Sequence, residues 1–311
     1  MTTPTTSPAP ITPSQTRPPI RRSRFQGASL NVFYLPALAL FSVFTLYPLI
    51  SGIGLSFTDW NGYSSGRNWI GWENYVRLAQ DPTFRAVLLN TFIYGVGSTV
   101  IQQVLGLTLA LLLDRKRRGT SLARAIVYLP VLVSPVIMGT MYYLLLQYNN
   151  GALNDIMGIF GEDPVAWLAS ANGSIAIIVL VNSLQFVGLS MIIYMAGLQG
   201  IDQAYYEASA LDGAKAGEQF WHVTLPLLRP AVATSVILNL IGGLKLFDII
   251  KVLTNGGPGY STNSVSTFIG VTYFDAQSAG YASAMGVVLF LLIMIATVLL
   301  NSGFNNKKTE D

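Results

Sequence analysis

The 311-residue chain has no cysteine, one histidine and few charges: 11% of residues are charged and 51% hydrophobic. The missing cysteines exclude a disulfide framework, thiolate metal sites and a cysteine nucleophile. His222 alone cannot build a multi-histidine metal centre. Soluble proteins average about 25% charged residues, so this deficit excludes a water-facing surface over most of the chain. A formal net charge of +3 is too small to argue for nucleic acid, and no nucleic-acid partner is expected. No G-x-x-x-x-G-K-[ST] phosphate loop and no H-E-x-x-H motif occurs. Gly242-Gly243-Leu244-Lys245 sits inside an apolar stretch and lacks the strand, loop and helix that cradle phosphate. The chain is therefore expected to have no catalytic residue, metal ligand or cofactor of its own, which leaves transport as the default role.

Long uncharged runs fill the space. Residues 25–58, 86–113, 125–154, 164–201 and 276–306 contain no Asp, Glu, Lys or Arg. Each exceeds the roughly 20 apolar residues that cross a hydrocarbon core about 30 Å thick. A sixth run follows Arg229 and is interrupted by Lys245, Asp248 and Lys251. The pattern predicts an all-α membrane protein of six transmembrane helices, near 29–55, 88–113, 126–147, 174–196, 229–252 and 281–302. Of the 18 basic residues, 13 fall on one side: Arg17, Arg21, Arg22 and Arg24, then 115–118 with Arg124, then Lys215, Arg229, Lys307 and Lys308. Basic loops stay in the cytoplasm, so both termini are expected there. Residues 1–28 read as a disordered Thr/Pro/Ser-rich cytoplasmic tail, 29–305 as the six-helix transmembrane domain and 306–311 as a short cytoplasmic tail. The first apolar run is too long for a signal-peptide core. Trp60, Tyr63, Trp69, Trp72 and Tyr75, in the first outer loop, suit a membrane-interface belt better than direct sugar stacking.

The most specific segment follows the fourth helix. Asp202 is placed to cap a short helix over 203–211, Gly213 breaks it, a second short helix covers 215–222, and Pro226 and Pro230 open the fifth span. A helix this short is marginal alone in water and needs something to hold it. The spacing of Glu207, Ala208, Ser209, Gly213, Val223, Leu225 and Pro226 resembles the E-A-A, three residues, G, nine residues, I-x-L-P signature of the permease subunits of ATP-binding-cassette importers. Ser209 and Val223 depart from it conservatively. The resemblance implies a type I importer permease fold in a bacterial or archaeal cytoplasmic membrane. It makes Tyr206, Glu207, Ala208, Ser209, Asp212, Gly213 and Ala214 the coupling element, within a loop spanning 198–228. The implied partners are a second permease subunit in a heterodimer, two copies of an ATP-binding subunit that carry the ATP and Mg, an extracytoplasmic solute-binding protein and the lipid bilayer. ATP hydrolysis would belong to those partners.

Lys245-Leu246-Phe247-Asp248, then Leu253-Thr254-Asn255-Gly256-Gly257-Pro258 and Gly280-Tyr281-Ala282-Ser283-Ala284, resemble the carbohydrate branch of these permeases, which includes the larger maltose permease subunit. A sugar, and more narrowly an oligosaccharide, is the cargo this implies. Asn182, Gln185 and Asn239 fall where that subunit contacts sugar, while Gly243 and Leu246 depart from it. The alternative for the three amides is hydrogen bonding between helices. Lys245, Asp248 and Lys251, spaced i, i+3 and i+6, are expected on one face of the fifth helix. With Gly256, Gly257 and Pro258 they form either an outer structural cluster or an outer gate. An ion-coupled secondary transporter and an importer of glycerol-3-phosphate or a polyol are the competing functions. The second is disfavoured because no arginine falls in the expected cavity to meet a phosphate.

Overall fold

The computed structural model describes residues 34–114 and 119–305. The expectations placed on tail residues 1–28, on 115–118 and on 306–311 lie outside the described residues. The chain divides into two compact units, Met1–Ile50 and Ser51–Asp311. Helix α1 (Tyr34–Leu55) begins in the first unit and contains a π-turn at Ser42–Leu46.

The regular structure described in the second unit is helical. Among the described residues its only β-pairing is a single bridge between Thr58 and Trp69. It contains α2 (Glu73–Gln80), α3 (Pro82–Leu113), α4 (Thr120–Leu132), α5 (Pro135–Leu145) and α6 (Ala152–Ile159). There follow α7 (Ala171–Gln199), α8 (Gln203–Leu211), α9 (Ala216–Gln219), α10 (Arg229–Leu244), α11 (Asp248–Leu253), α12 (Val265–Gly270) and α13 (Ala279–Asn305). Among the described residues four helices are long and apolar enough to cross a membrane, α1, α3, α7 and α13, and a fifth span arises if α4 and α5 count as one.

Two of the six expected spans are not single helices. The stretch expected to run straight over 126–147 bends by 99° between α4 and α5. The cause is local. Val133 and Ser134 are extended, with ψ of 137° and 136°, and at Ser134 the steric demand of the following Pro135 requires it. The stretch 229–252 breaks after Leu244, and the helix restarts at Asp248. Lys245 therefore does not share a helix with Asp248 and Lys251, and the expected single face of three charges does not form. The Leu246 carbonyl in the break accepts a 2.6 Å hydrogen bond from Ser264 Oγ, so this backbone group is not left unpaired. The Val133 carbonyl at the other bend accepts a 3.1 Å bond from Gln185 Nε2.

Helix starts follow the expected chemistry where caps exist. Asp81 accepts from the backbone N–H groups of Thr83 (2.8 Å) and Phe84 (3.3 Å) ahead of Pro82 and opens α3. Small residues set the helix spacing, as packing without a hydrophobic driving force requires. A Cβ on Gly106 of α3 would lie 2.5 Å from the Ser190 Cβ of α7, and one on Gly188 would lie 2.6 Å from the Val127 carbonyl oxygen of α4. Gly243 of α10 meets α3 at Gly95, whose Cα would be 2.8 Å from the added Cβ. Three apolar clusters fill the gaps. Tyr94, Ile178, Ile249 and Ile250 centre one of them, Val87, Val265 and Met285 another, and Ala110, Met191 and Tyr194 the third.

Candidate functional site

The loop between α7 and α10 folds as a compact hairpin of short helices. Asp202 Oδ1 accepts from the Ala204 N–H at 3.0 Å and caps α8, which covers 203–211 as expected. Gly213 ends it with φ +85°, a left-handed conformation that costs glycine least. The second helix is shorter than expected: α9 ends at Gln219 and the chain continues as a π-turn over Phe220–Thr224. The two halves are tied by side chains. Gln219 Nε2 donates to Ser209 Oγ (3.0 Å) and to the Tyr206 carbonyl (3.3 Å), and the Tyr206 hydroxyl meets Thr224 Oγ1 at 3.1 Å. Tyr206 and Ser209 therefore act inside the loop, with Ala214 half-buried beside them. Glu207, Ala208, Asp212 and Gly213 are exposed, and Leu211 is 91% exposed.

The amides expected to meet cargo lie inside the helix bundle. Asn182, Gln185 and Asn239 are 2%, 0% and 5% exposed. Asn239 Nδ2 is committed to Ser190 Oγ (2.7 Å) and the Ser235 carbonyl (3.0 Å), which ties α10 to α7. The Asn182 backbone carbonyl accepts from Gln102 Nε2 of α3 at 3.1 Å. Gln185 Oε1, Gln102 Oε1 and Gln103 Nε2 are buried without a hydrogen-bond partner. These glutamines of α3 were missed in the sequence because nothing in an apolar run shows which neighbour a polar residue will face. The signal that could have found them is the polar pair Gln102-Gln103 inside an otherwise apolar span.

The residues expected at an outer gate separate into two groups. Lys245 and Lys251 are exposed and Asp248 is half-buried. The turn holding Gly256, Gly257 and Pro258 is anchored from α3. Asn90 Nδ2 donates to the carbonyls of Ser261 (2.7 Å) and Asn263 (3.1 Å), and the Tyr94 hydroxyl donates to the Thr262 carbonyl (2.8 Å). Gly256 is required there, since a Cβ would lie 2.3 Å from Asn263 Oδ1 and φ is +83°.

A cleft of about 970 Å³ lies among Asp59, Glu73, Arg77, Asp81, Ser278 and Tyr281. Arg77 sits 4.3 Å over the Tyr281 ring, and Tyr281 donates to Asp81 Oδ2 at 2.9 Å. The backbone and side-chain donors of Asn68 hold the Asp59 carboxyl below its ordinary range. Of the loop aromatics, Phe57 stacks on Trp69 and meets Trp72 edge-on. Gly62-Tyr63-Ser64-Ser65-Gly66 fits the G-x-S-x-G spacing of a hydrolase nucleophile. Here it forms a turn in which Ser64 Oγ bonds Asn61 Oδ1 and the Gly66 carbonyl, with no strand before it and no helix after. Among the described residues, no three His, Asp or Glu side chains could hold a metal ion.

A bundle of apolar helices whose interior is lined by amides, with an exposed E-A-A loop between α7 and α10, is the frame of a solute permease. The chain belongs to the binding-protein-dependent transport system inner membrane component family, whose model matches residues 102–308. It is 31% identical over 283 residues to a probable ABC transporter permease protein, YurN, of Bacillus subtilis (strain 168), covering 90% of this chain and 97% of the relative. It is 32% identical over 277 residues to the trehalose/maltose transport system permease protein MalF of Thermococcus litoralis, covering 89% of this chain and 94% of that one. Among solved structures, a bacterial ABC transporter involved in the import of the acidic polysaccharide alginate contains a chain of the same fold. Its TM-score is 0.78 at 24% identity, with 90% of this chain and 96% of that chain covered.

Proposed function

We propose that this protein is one membrane-spanning subunit of an ATP-driven sugar importer, with an oligosaccharide as cargo. The observation that carries the coupling half of the reading is Leu211. An apolar side chain 91% exposed at the end of a short helix, flanked by exposed Glu207, Ala208 and Asp212, is a poor surface for water. Covering such a side chain is worth about 1.5–3 kcal/mol. The E-A-A loop is then a preformed knob for the groove of an ATP-binding subunit, with Tyr206, Ser209 and Gln219 keeping it rigid. Two copies of that subunit, a second permease and an external solute-binding protein complete the assembly, and the basic side of the chain faces the cytoplasm. The ATP-binding subunits bind and hydrolyse ATP, and the rigid loop passes their closure to α7 and α10, between which it is strung.

The sugar reading is supported by relatives whose names include trehalose, maltose and multiple sugars, and by the amides in the bundle. Neutral sugars are bound by planar amides and hydroxyls facing a cavity. Asn182, Gln185 and Asn239 line the cargo route in the conformation that opens this seam, and the turn at Gly256-Gly257-Pro258 with Lys245 and Asp248 borders its outer gate. The test is paired. Glu207→Lys should abolish uptake and reduce co-purification of the ATP-binding subunit with membrane insertion unchanged. Asn182→Leu should lower uptake with the complex intact. Normal uptake and co-purification in Glu207→Lys removes the coupling role, and unaltered sugar dependence in Asn182→Leu makes that amide structural.

A further inference from the structure

The two broken spans share one design. Each bends at a short extended or irregular stretch, Val133–Ser134 between α4 and α5 and Lys245–Phe247 between α10 and α11. At each bend a backbone carbonyl accepts a hydrogen bond from a side chain of another element: Gln185 Nε2 on the Val133 carbonyl and Ser264 Oγ on the Leu246 carbonyl. The short halves beyond the bends, α5 and α11, pack on each other. A Cβ on Gly139 of α5 would lie 3.1 Å from the Val252 Cβ of α11, and Tyr142 and Leu146 pack against the apolar cluster that contains Ile249, Ile250 and Leu253. Glycine at 139 is what lets these two short helices approach so closely.

We propose that α5 and α11 form one rigid two-helix unit that turns about both bends during transport, and that Gln185 and Ser264 are positioning residues that set its angle. Two helices of 11 and 6 residues are too short to hold direction alone. Packed together and tethered at both ends, they respond as one body, since a close-packed interface shifts between discrete arrangements rather than deforming continuously. Gln185 fits this role because its amide is divided. Its Nε2 holds the bend, while Oε1, fully buried, has no partner in this state. The unsatisfied acceptor marks a seam that gains a hydrogen bond when it rearranges. The inference rests on the transport reading above for its purpose, but its geometry is measurable without knowing the cargo.

The cysteine-free chain permits a direct test in the assembled complex. In Gly139→Cys/Val252→Cys, oxidation should link α5 to α11, and ATP hydrolysis stimulated by the binding protein should stay within about twofold of the reduced sample. Failure of the link to form, or a loss that reductant reverses, overturns the rigid unit. Pulsed EPR then reads the bends. Spin labels on Leu129→Cys and Leu144→Cys, both exposed, report the angle between α4 and α5. Labels on Leu238→Cys and Lys251→Cys report that between α10 and α11. Gln185→Met should broaden the first distance distribution, and Ser264→Ala the second, with Ser264→Thr restoring it because the hydroxyl remains. Unchanged distributions in Gln185→Met and Ser264→Ala overturn the positioning roles. These readouts separate failure of this inference from failure of the importer reading, which would leave the distances intact while the complex lacks ATP-driven uptake.

Discussion

The loop at 202–224 and the helix seam around Asn182 are both polar interruptions of an apolar chain, yet they are stabilised in opposite ways. The loop satisfies itself locally: Asp202, Ser209 and Gln219 bond to groups within about 15 residues, and its apolar Leu211 points outward. The seam is assembled from distant segments, with Gln102 reaching Asn182 and Asn239 reaching Ser190, and it leaves three amide atoms unpaired. The difference teaches that the loop is self-contained and presents an apolar side chain to its surroundings, which suits the proposed docking, whereas the seam depends on which helices meet and holds unused hydrogen-bonding capacity. Variants in the loop should therefore remove function without stability, and variants in the seam should change stability in either direction.

The largest expected effect breaks the comparison at the loop. Leu211→Asp should lower ATP-driven uptake at least tenfold while the melting temperature of the isolated permease stays unchanged, because the side chain is already in solvent. A matching fall in melting temperature would mean that the loop is part of the fold rather than a docking element. The next effect belongs to the bundle. Gly188→Val places branched carbons against the Val127 carbonyl and should destabilise the permease by about 1–3 kcal/mol, read from thermal unfolding in detergent. The smallest effect is in the loop ahead of α2. The Asp59 carboxyl is held below its ordinary value of 3.8 by Asn68, so the Asp59–Asn68 clasp is present above that value and lost as pH falls through the lowered one. Hydrogen exchange of the Asn68 amide against pH reads this, and Asp59→Ala should remove the dependence.

Local signals were legible in the sequence and tertiary ones were not. The short helix over 203–211, its Asp202 cap and its Gly213 stop depend on neighbours within a few residues, and they appear where the residue types place them. The bend at Val133–Ser134 was also written locally, in Ser134-Pro135, but a long apolar run masks a break because periodicity has little to say when every face is apolar. The break at Lys245 was signalled by charges inside an apolar run, and it was read as a cluster on a continuous helix instead. What ends that helix is tertiary: Ser264, 18 residues on, takes the Leu246 carbonyl. The burial of Asn182, Gln185 and Asn239 depends on which helices pack together. No spacing along α7 or α10 states that Gln102 lies opposite.

The side on which the E-A-A loop lies, and what covers it, is tested most directly by labelling a single cysteine, Ala208→Cys, with a membrane-impermeant maleimide. The account predicts no labelling in intact cells, and labelling of inside-out vesicles only after the ATP-binding subunits have been stripped away. Labelling in intact cells, or labelling of vesicles that is indifferent to those subunits, would contradict it.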